Sequence, residues 1–359
     1  MTFLENPHRG RGLPSNVAIA EGDIATDPSA ALALMALCPA AGETPLVDHR
    51  DLSRALGIGR LFLKDERQRM GLGSFKALGA AHAIAKRARI AAGDDLQRNF
   101  THALSGQTFI CASAGNHGLS VAAGARVFGA TAIIYLSKTV PESFSLRLQA
   151  KGARVVRAGD TYEESMAAAK EAAAAHGWHL LSDSTWIGYT EPARDVMEGY
   201  LIMGEEAVRT ISQPPTHIFL QAGVGGLAAA AAASARRNWG DSPKIVVVEP
   251  AFAPALFESI KAGRPIVAPG PVSSMGRLDC KEPSHLALKY LAREADAFMT
   301  ITEDEAAEGV RLLKQHGIST SPSGGAGFAG LLAVSREQGT AGLGPLSRAL
   351  VYISENTQE

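Results

Sequence analysis

The sequence predicts an α/β protein with two domains, each a parallel sheet layered between helices. Short runs rich in β-branched residues alternate with longer, alanine-rich runs that are typical of helices. Strands joined through helices of this length pair in parallel. The chain has 359 residues, which suits about two domains of roughly 150 residues each.

The first alternating series runs from residue 61 to residue 182. A strand predicted at 61–64 precedes a glycine turn and a helix predicted at 74–88, with the Ser74 hydroxyl as its N-cap. The series continues with strands at 108–112, 131–136, 154–157 and 179–182, and with helices at 117–128, 143–151 and 162–175. The segment before residue 61 looks irregular.

A second series comprises a strand at 216–220, an alanine-rich helix and a strand at 244–248. The break between the two series predicts two α/β units with a hinge near residues 188–192. Residues 1–80 together with 190–359 are expected to form a large domain, and residues 81–189 a small one.

Charge and cysteine content argue against several classes of function. The formal net charge of −1 gives no broad attraction to nucleic acid or to an anionic membrane. Three scattered cysteines predict neither a disulfide framework nor a metal site. The apolar run at 30–41 contains Pro39 and is shorter than a bilayer span of about 20 residues. The sequence therefore predicts a cytoplasmic protein without a nucleic-acid, membrane or metal partner.

The glycine turn leads to a lysine that can carry chemistry. Lys76 lies in the first turn of the predicted helix, where the helix dipole disfavours a cation. Imine formation at neutral pH needs a neutral amine, whereas free lysine titrates near about 10.4. Apolar neighbours such as Phe75, Ala77 and Leu78, with positive groups nearby, are expected to lower the pKa of Lys76 to about 7 or 8. An isolated lysine is more often a surface residue, so this interpretation needs support from other motifs.

A glycine loop opens the helix that follows the strand at 216–220. Glycines let the backbone approach an anion, and the helix N-terminus offers free amides. The residues expected to cradle a phosphate are Gly223, Val224, Gly225, Gly226 and Leu227. The loop also fits a loose dinucleotide-binding pattern in which Glu249 binds a ribose, and it fits a structural turn without a ligand.

A second loop of small residues follows the strand at 108–112. Asn116 can donate to a hydroxyl group of a cofactor. The residues expected to hold a substrate carboxylate are Ser113, Ala114, Gly115 and His117. The structural alternative is an ordinary capped helix start.

Together, these motifs resemble the fold-type-II pyridoxal-phosphate family. The segments that carry the resemblance occur in the family's order at 43–46, 63–66, 74–76, 113–117 and 223–226. The resemblance implies a tryptophan-synthase-β-like architecture in which Lys76 holds pyridoxal 5'-phosphate (PLP). It also implies that the large domain binds the cofactor, while the small domain carries the asparagine loop 113–117. Dinucleotide binding would not explain the lysine in the first turn of the predicted helix.

Further segments look like the diaminopropionate ammonia-lyase group of that family. They lie at 182–190, 197–200, 221–226 and 278–284. This resemblance implies that Lys76 acts at the substrate Cα and that Asp183 lies close to the substrate amines, handling the leaving group or binding the second amine. A structural carboxylate is the alternative for Asp183. Tyr189, in the same segment as Asp183, is expected to contact the substrate.

The sequence also departs from that group. Ala114 replaces an aspartate of the asparagine loop, and Ser321-Pro322-Ser323-Gly324 stands where the group has Gly-Glu-Ser-Gly. Residues 353–356 read Ile-Ser-Glu-Asn instead of Ile-Ser-Thr-Glu-Gly. The missing aspartate removes the acid–base group for the D-isomer, so a relative that acts on one enantiomer or on another β-substituted amino acid is an open alternative.

Three functions therefore remain open. The first is an ammonia-lyase acting on 2,3-diaminopropionate or a close β-substituted amino acid, giving a 2-oxo acid and ammonia. The second is a dehydratase of serine, threonine or hydroxyaspartate, and the third is a catalytically silent sensor that binds PLP or an amino acid. The pyridine nitrogen is expected to meet a hydroxyl, that of Ser354 or alternatively that of Ser323. A homodimer is the family's habit.

Overall fold

The computed structural model describes residues 1–93, 100–337 and 339–357. Within them the chain forms a seven-stranded sheet and a four-stranded sheet. In chain order the strands are β1 Thr2–Glu5, β2 Leu46–Asp48, β3 Arg60–Asp65, β4 Thr108–Ala112, β5 Thr131–Leu136, β6 Arg154–Arg157, β7 His179–Leu180, β8 His217–Gln221, β9 Lys244–Pro250, β10 Ala297–Ile301 and β11 Arg348–Ile353.

The helices separate most of these strands along the chain. They are α1 Ser29–Met35, α2 Arg50–Ala55, α3 Lys76–Ala92, α4 Asn116–Val127, α5 Glu142–Ala150, α6 Tyr162–His176, α7 Glu191–Thr210, α8 Gly226–Trp239, α9 Ala255–Ala262, α10 His285–Glu294, α11 Glu303–Gln315 and α12 Ala326–Arg336.

The larger sheet has the order β1-β10-β9-β8-β11-β3-β2. Its inner strands run parallel, and only the edge strands β1 and β2 are antiparallel to their neighbours. Helices α3, α7, α8 and α10 contribute to the apolar core that includes Leu220 and Val247, while α12 packs with Val246 and Val248 in a second core. Successive residues of β9 thus point into different cores, as expected for a sheet between two helical layers.

The smaller sheet has the order β6-β5-β4-β7, and all its pairs are parallel. The prediction of an α/β protein with two parallel sheets is confirmed. The small sheet lies inside the range predicted for the small domain, although the boundaries at 80–81 and 189–190 remain a prediction.

Two local predictions are wrong. The segment before residue 61 contains β1, α1, β2 and α2. In addition, Ser74 does not cap α3: Phe75 precedes the helix, and the buried Ser74 hydroxyl has no hydrogen-bond partner. The reason is that the Ser74 backbone forms an antiparallel bridge with Glu355, which commits this residue to pairing instead of capping.

Close packing fixes the helix that carries Lys76. A Cβ added at Gly79 on α3 would lie 2.5 Å from Cε1 of Tyr200 on α7. A Cβ added at Gly199 would lie 2.4 Å from the Leu78 carbonyl oxygen. Both glycines are therefore required by the contact between α3 and α7, since a larger residue would separate the helices.

A buried ionic cluster lies between β3 and α7, and we call it the Glu206 cluster. Glu206 accepts hydrogen bonds from Lys64 Nζ at 2.5 Å and from Arg69 Nη1 and Nη2 at 2.8 and 2.6 Å. Arg69 also binds Glu66, and the Thr44 hydroxyl donates to Glu66 at 2.6 Å. The four charged side chains are at most 4% exposed, so the cluster joins the segment around Thr44 to the turn before α3.

A second ionic contact links α3 to α7 nearer the surface. Glu198 lies 3.2 Å from His82 Nε2 and accepts a 2.7 Å hydrogen bond from Lys86 Nζ. Burial acts to raise the pKa of Glu198, but His82 and Lys86 outweigh it and lower that pKa to about 2.

Among the described residues, none of the helices is both long and apolar enough to cross a membrane. The same residues contain no group of histidine, cysteine and carboxylate side chains placed to hold a metal ion.

Candidate active site

Lys76 and Asp183 meet at the centre of the site. Lys76 is the first residue of α3, and its Nζ donates a short hydrogen bond to Asp183 Oδ2. Asp183 follows β7. The contact therefore joins α3, which packs on the large sheet, to the segment after a strand of the small sheet. The two side chains are 21% and 20% exposed, which leaves them within reach of a ligand.

The charge state of Lys76 differs from the prediction. Burial acts to lower the pKa of Lys76, but the Asp183 carboxylate outweighs it and holds that pKa above its usual range. Burial likewise acts to raise the pKa of Asp183, while Lys76 holds it below its usual range. The expected fall in the lysine pKa is wrong, because the nearest charged partner is an anion. The pair is therefore an ion pair in which Lys76 carries the proton and Asp183 the negative charge.

Two aromatic rings surround the lysine. Nζ of Lys76 lies 5.2 Å from the ring centroid of Phe75 and 5.7 Å from that of Tyr200. The two rings pack against each other at 4.8 Å. The Tyr200 hydroxyl is buried and has no hydrogen-bond partner among the described residues. Such a group usually has a partner when a site is complete, so Tyr200 marks a polar position that a ligand can satisfy.

The glycine loop 223–226 forms a backbone cradle at the start of α8. Gly225 has φ of +103°, a conformation that favours glycine. A Cβ added at Gly223 would lie 3.0 Å from Cys280 Sγ, so the loop has no room for a side chain there. Val224 accepts a 2.9 Å hydrogen bond from the Ser284 amide, and the Leu227 side chain is buried. The first amides of α8 have no acceptor inside the helix and suit a phosphate.

The asparagine loop 113–117 is held by its own side chains. Ser113 Oγ accepts hydrogen bonds from the amides of Gly115 and Gly118, both at 3.2 Å. His117 Nε2 lies 2.8 Å from the Leu181 carbonyl oxygen, which can only accept, so Nε2 carries the proton. Burial lowers the pKa of His117, although Asp183 opposes this, and the ring is neutral. Ser113 and His117 therefore shape the loop, and the predicted contact of the loop with a substrate carboxylate stays a prediction.

Glu355 was not among the predicted site residues. Its carboxylate accepts a 2.5 Å hydrogen bond from Asn116 Nδ2 and a short one from Ser321 Oγ. The residue is 4% exposed, and burial raises its pKa against the effects of Ser321 and Arg277. The signal that could have revealed it is its place directly after Ser354, at the end of β11.

The structure brings Ser354 to the lysine segment and Ser323 to Arg277. The Ser354 amide donates to Gly324 at 3.1 Å, and its carbonyl accepts from the Phe75 amide at 3.0 Å. Ser323 Oγ accepts a 3.0 Å hydrogen bond from the Arg277 amide. The assignment of the pyridine-nitrogen partner to Ser354 therefore stays a prediction, with Ser323 as its alternative.

Tyr189 is engaged elsewhere. Its hydroxyl donates to the Leu180 carbonyl and accepts from the Ser182 amide, both at 2.9 Å. Its ring stacks on Trp186 at 4.2 Å. It also lines a cavity of about 350 Å³ that Lys76 does not line. The predicted substrate contact of Tyr189 is not visible in this arrangement and stays a prediction.

The structure argues against the dinucleotide-binding alternative, because Glu249 is not placed to bind a ribose. Both carboxylate oxygens of Glu249 accept backbone hydrogen bonds, from Leu256 at 2.8 Å and from Phe257 at 2.7 Å. The side chain is fully buried, and burial raises its pKa to about 8. Glu249 therefore stabilises the start of α9 and is not open to a ligand.

These features fit PLP. The glycine cradle presents helix N-terminal amides that suit a phosphate, Asn116 carries an amide donor, and the Lys76 side chain has the amine that an imine needs. The partnerless Tyr200 hydroxyl is an observation that a merely structural turn would not require, whereas the glycine at 223 is already explained by its packing against Cys280.

Comparison with known proteins gives the same answer. The family model described as pyridoxal-phosphate dependent enzyme matches residues 37–354. The diaminopropionate ammonia-lyase of Escherichia coli K12 is 32% identical over 282 residues, which cover 75% of this chain and 70% of that protein. A serine dehydratase-like protein of Mus musculus is 29% identical over 291 residues, covering 80% of this chain and 81% of that protein.

A solved structure extends the likeness over nearly the whole chain. The crystal structure of the Escherichia coli lyase in complex with an aminoacrylate–PLP azomethine reaction intermediate has a TM-score of 0.87 and 26% identity. It covers 99% of this chain and 93% of that one.

Proposed function

Because this chain belongs to the pyridoxal-phosphate dependent enzyme family, we propose that it is a carbon–nitrogen lyase acting by β-elimination. Its substrate is 2,3-diaminopropionate or a close β-substituted amino acid, and its products are a 2-oxo acid and ammonia. The observation that carries the proposal is the contact between Lys76 Nζ and Asp183 Oδ2 beside the glycine cradle.

Lys76 and Asp183 have separate roles. Bound PLP supplies the electron sink that makes the substrate Cα–H acidic. The Lys76 amine takes the Cα proton, and Asp183 accepts a hydrogen bond from the substrate's second ammonium group. Asp183 is ionised at neutral pH because Lys76 holds its pKa low, so this position favours a cationic β-substituent. Because the β-ammonium already carries its proton, it leaves as neutral ammonia with the electrons of the Cβ–N bond, while Asp183 stays ionised and Lys76 keeps the Cα proton.

The asparagine loop holds the other end of the substrate. Loop backbone amides, organised by Ser113, bind the α-carboxylate, while Asn116 donates to the cofactor hydroxyl. The side chain at 114 is a methyl group and cannot exchange a proton at Cα. Lys76 thus serves a single face of the substrate, and we expect turnover of the L-isomer alone.

Dehydration of a β-hydroxy amino acid is the second candidate. The relative described as serine dehydratase-like supports it, and the neutral Ala114 removes one anion that would favour a diamine. The sensor alternative is less well supported, because both Lys76 and the glycine cradle are intact.

The cellular setting is part of the same proposal. All three cysteines are unpaired thiols, which suits a reducing cytoplasm, and a homodimer follows the habit of the family. The division into a large domain of residues 1–80 plus 190–359 and a small domain of residues 81–189 is likewise proposed, since each range holds one of the two sheets.

The test measures ammonia and 2-oxo acid from purified protein loaded with PLP. L- and D-2,3-diaminopropionate and L-serine are compared, with Lys76→Ala as the matched inactive control. Release of 2-oxo acid and ammonia from the L-diamine alone supports the proposal. Faster turnover of L-serine would replace the lyase proposal with the dehydratase function. If a PLP-bound protein gave no product from any substrate, only the sensor alternative would remain.

A further inference from the structure

An arginine outside the predicted site covers the asparagine loop. A Cβ added at Gly115 would lie 3.2 Å from Nη1 of Arg277 and 3.3 Å from its Cζ. The guanidinium therefore lies directly against the Cα of Gly115, an approach that a larger residue at 115 would block.

The arginine is held from several sides. Its own amide donates to Ser323 Oγ at 3.0 Å, which fixes the backbone next to a predicted cofactor residue. Its Cζ lies 5.4 Å from the ring centroid of Phe144 on α5. The Arg277 side chain is thus already ordered before a ligand binds. Binding therefore costs less side-chain entropy.

The charges around the substrate are consequently arranged with opposite signs at its two ends. Asp183 lies beside Lys76, where the β-ammonium is placed, and Arg277 lies against the loop that receives the α-carboxylate. Ala114 contributes no charge on that loop. Glu355 and Arg147 also interact electrostatically with Arg277, with opposite signs. A guanidinium presents a planar fork of donors that matches a carboxylate.

We propose that Arg277 is a specificity-determining residue that binds the substrate's α-carboxylate at Gly115. The inference rests on the proposed function and narrows its substrate class to amino acids that carry a free α-carboxylate and a cationic β-group. Arg277 binds the carboxylate together with the loop amides, and the α-carboxamide of the same diamine is discriminated against.

The experiment compares Arg277→Met and Arg277→Lys with wild type, all loaded with PLP. Arg147→Met is the matched control, because Arg147 also packs near the Phe144 ring, at 5.8 Å from its centroid. Steady-state constants are measured for L-2,3-diaminopropionate and for its α-carboxamide. In parallel, L-alanine and L-alaninamide are titrated while the absorbance of bound PLP is followed, a binding readout that needs no lyase turnover.

We expect Arg277→Met to raise KM for the amino acid about 10- to 100-fold, the range for losing a hydrogen bond to a charged group. The kcat and the constants for the carboxamide should stay within about threefold, the pattern of lost ground-state binding. Arg277→Lys should restore part of the loss, and Arg147→Met should stay within about threefold of wild type.

Two results would overturn the assignment. One is an equal loss for the acid and the carboxamide in Arg277→Met, which would mean a structural role between Gly115 and Phe144. The other is an unchanged preference for L-alanine over L-alaninamide in that variant. If instead this preference disappears while no substrate yields a 2-oxo acid, the Arg277 assignment stands and the lyase proposal fails.

Discussion

Replacing Glu206 by glutamine should destabilise the protein strongly. The Glu206 cluster contains two cations, Lys64 and Arg69, and two carboxylates, all nearly excluded from water. Glu206→Gln removes one negative charge and leaves an uncompensated cation among side chains that are at most 4% exposed. Removing one partner of a buried ion pair costs about 3–5 kcal/mol, so we expect a loss of that size in the free energy of unfolding.

The neighbouring glutamate on the same helix provides the matched control. Glu205 is partly exposed and accepts a hydrogen bond from Asn238 at 3.0 Å, so Glu205→Gln should cost less than about 1 kcal/mol. Urea unfolding of both variants, stripped of PLP and followed by tryptophan fluorescence, gives the two losses. If Glu206→Gln lies within about 1 kcal/mol of Glu205→Gln, the charge balance of the cluster does not stabilise the fold and the argument from burial is refuted.

Three further predictions concern the site and its support. Asp183→Asn should shift the pH dependence of PLP capture by Lys76 about one to three units lower, measured as the rate at which the visible band appears; an unshifted profile would mean that Asp183 does not control the lysine. Ser354→Ala should alter the spectrum of bound PLP more than Ser323→Ala does, and the reverse order would move the pyridine contact to Ser323. Glu198 has its pKa lowered to about 2, so its contribution to stability is complete above about pH 4.5 and disappears as pH falls towards 2. Glu198→Gln should therefore differ from wild type by about 3 kcal/mol at pH 6 and converge with it at low pH, as unfolding curves at several pH values will show.

Features that depend on residues close together in the chain were predictable from the sequence. The strand β3, the glycine turn and the helix bearing Lys76 follow one another within a short stretch, and each has its own residue pattern. The glycine loop is equally local, because a strand, a turn and a helix N-terminus are adjacent in the chain. Such patterns identify an anion cradle and an amine without knowledge of the tertiary fold.

Features that depend on long-range contacts were not predictable. The lysine pKa was expected to fall, but its direction is set by Asp183, 107 residues away. Arg277 and Glu355 reach the site from separate segments. Neither segment has a helix or strand periodicity from which the direction of its side chains could be predicted. Ser74 has the composition of an N-cap, yet its pairing with Glu355 overrides that local preference. The chemistry of a position thus depended on partners that only the packed structure supplies.

The contact between Asn116 and Glu355 spans 239 residues of chain. During synthesis, the asparagine loop leaves the ribosome long before its carboxylate partner exists, and the bridge between Ser74 and Glu355 is delayed in the same way. Contacts of such large sequence separation form late and slow the overall rate of folding. The nascent chain therefore presents Lys76 before Glu355 exists, and the asparagine loop and the segment before α3 gain these contacts only after β11 has been synthesised.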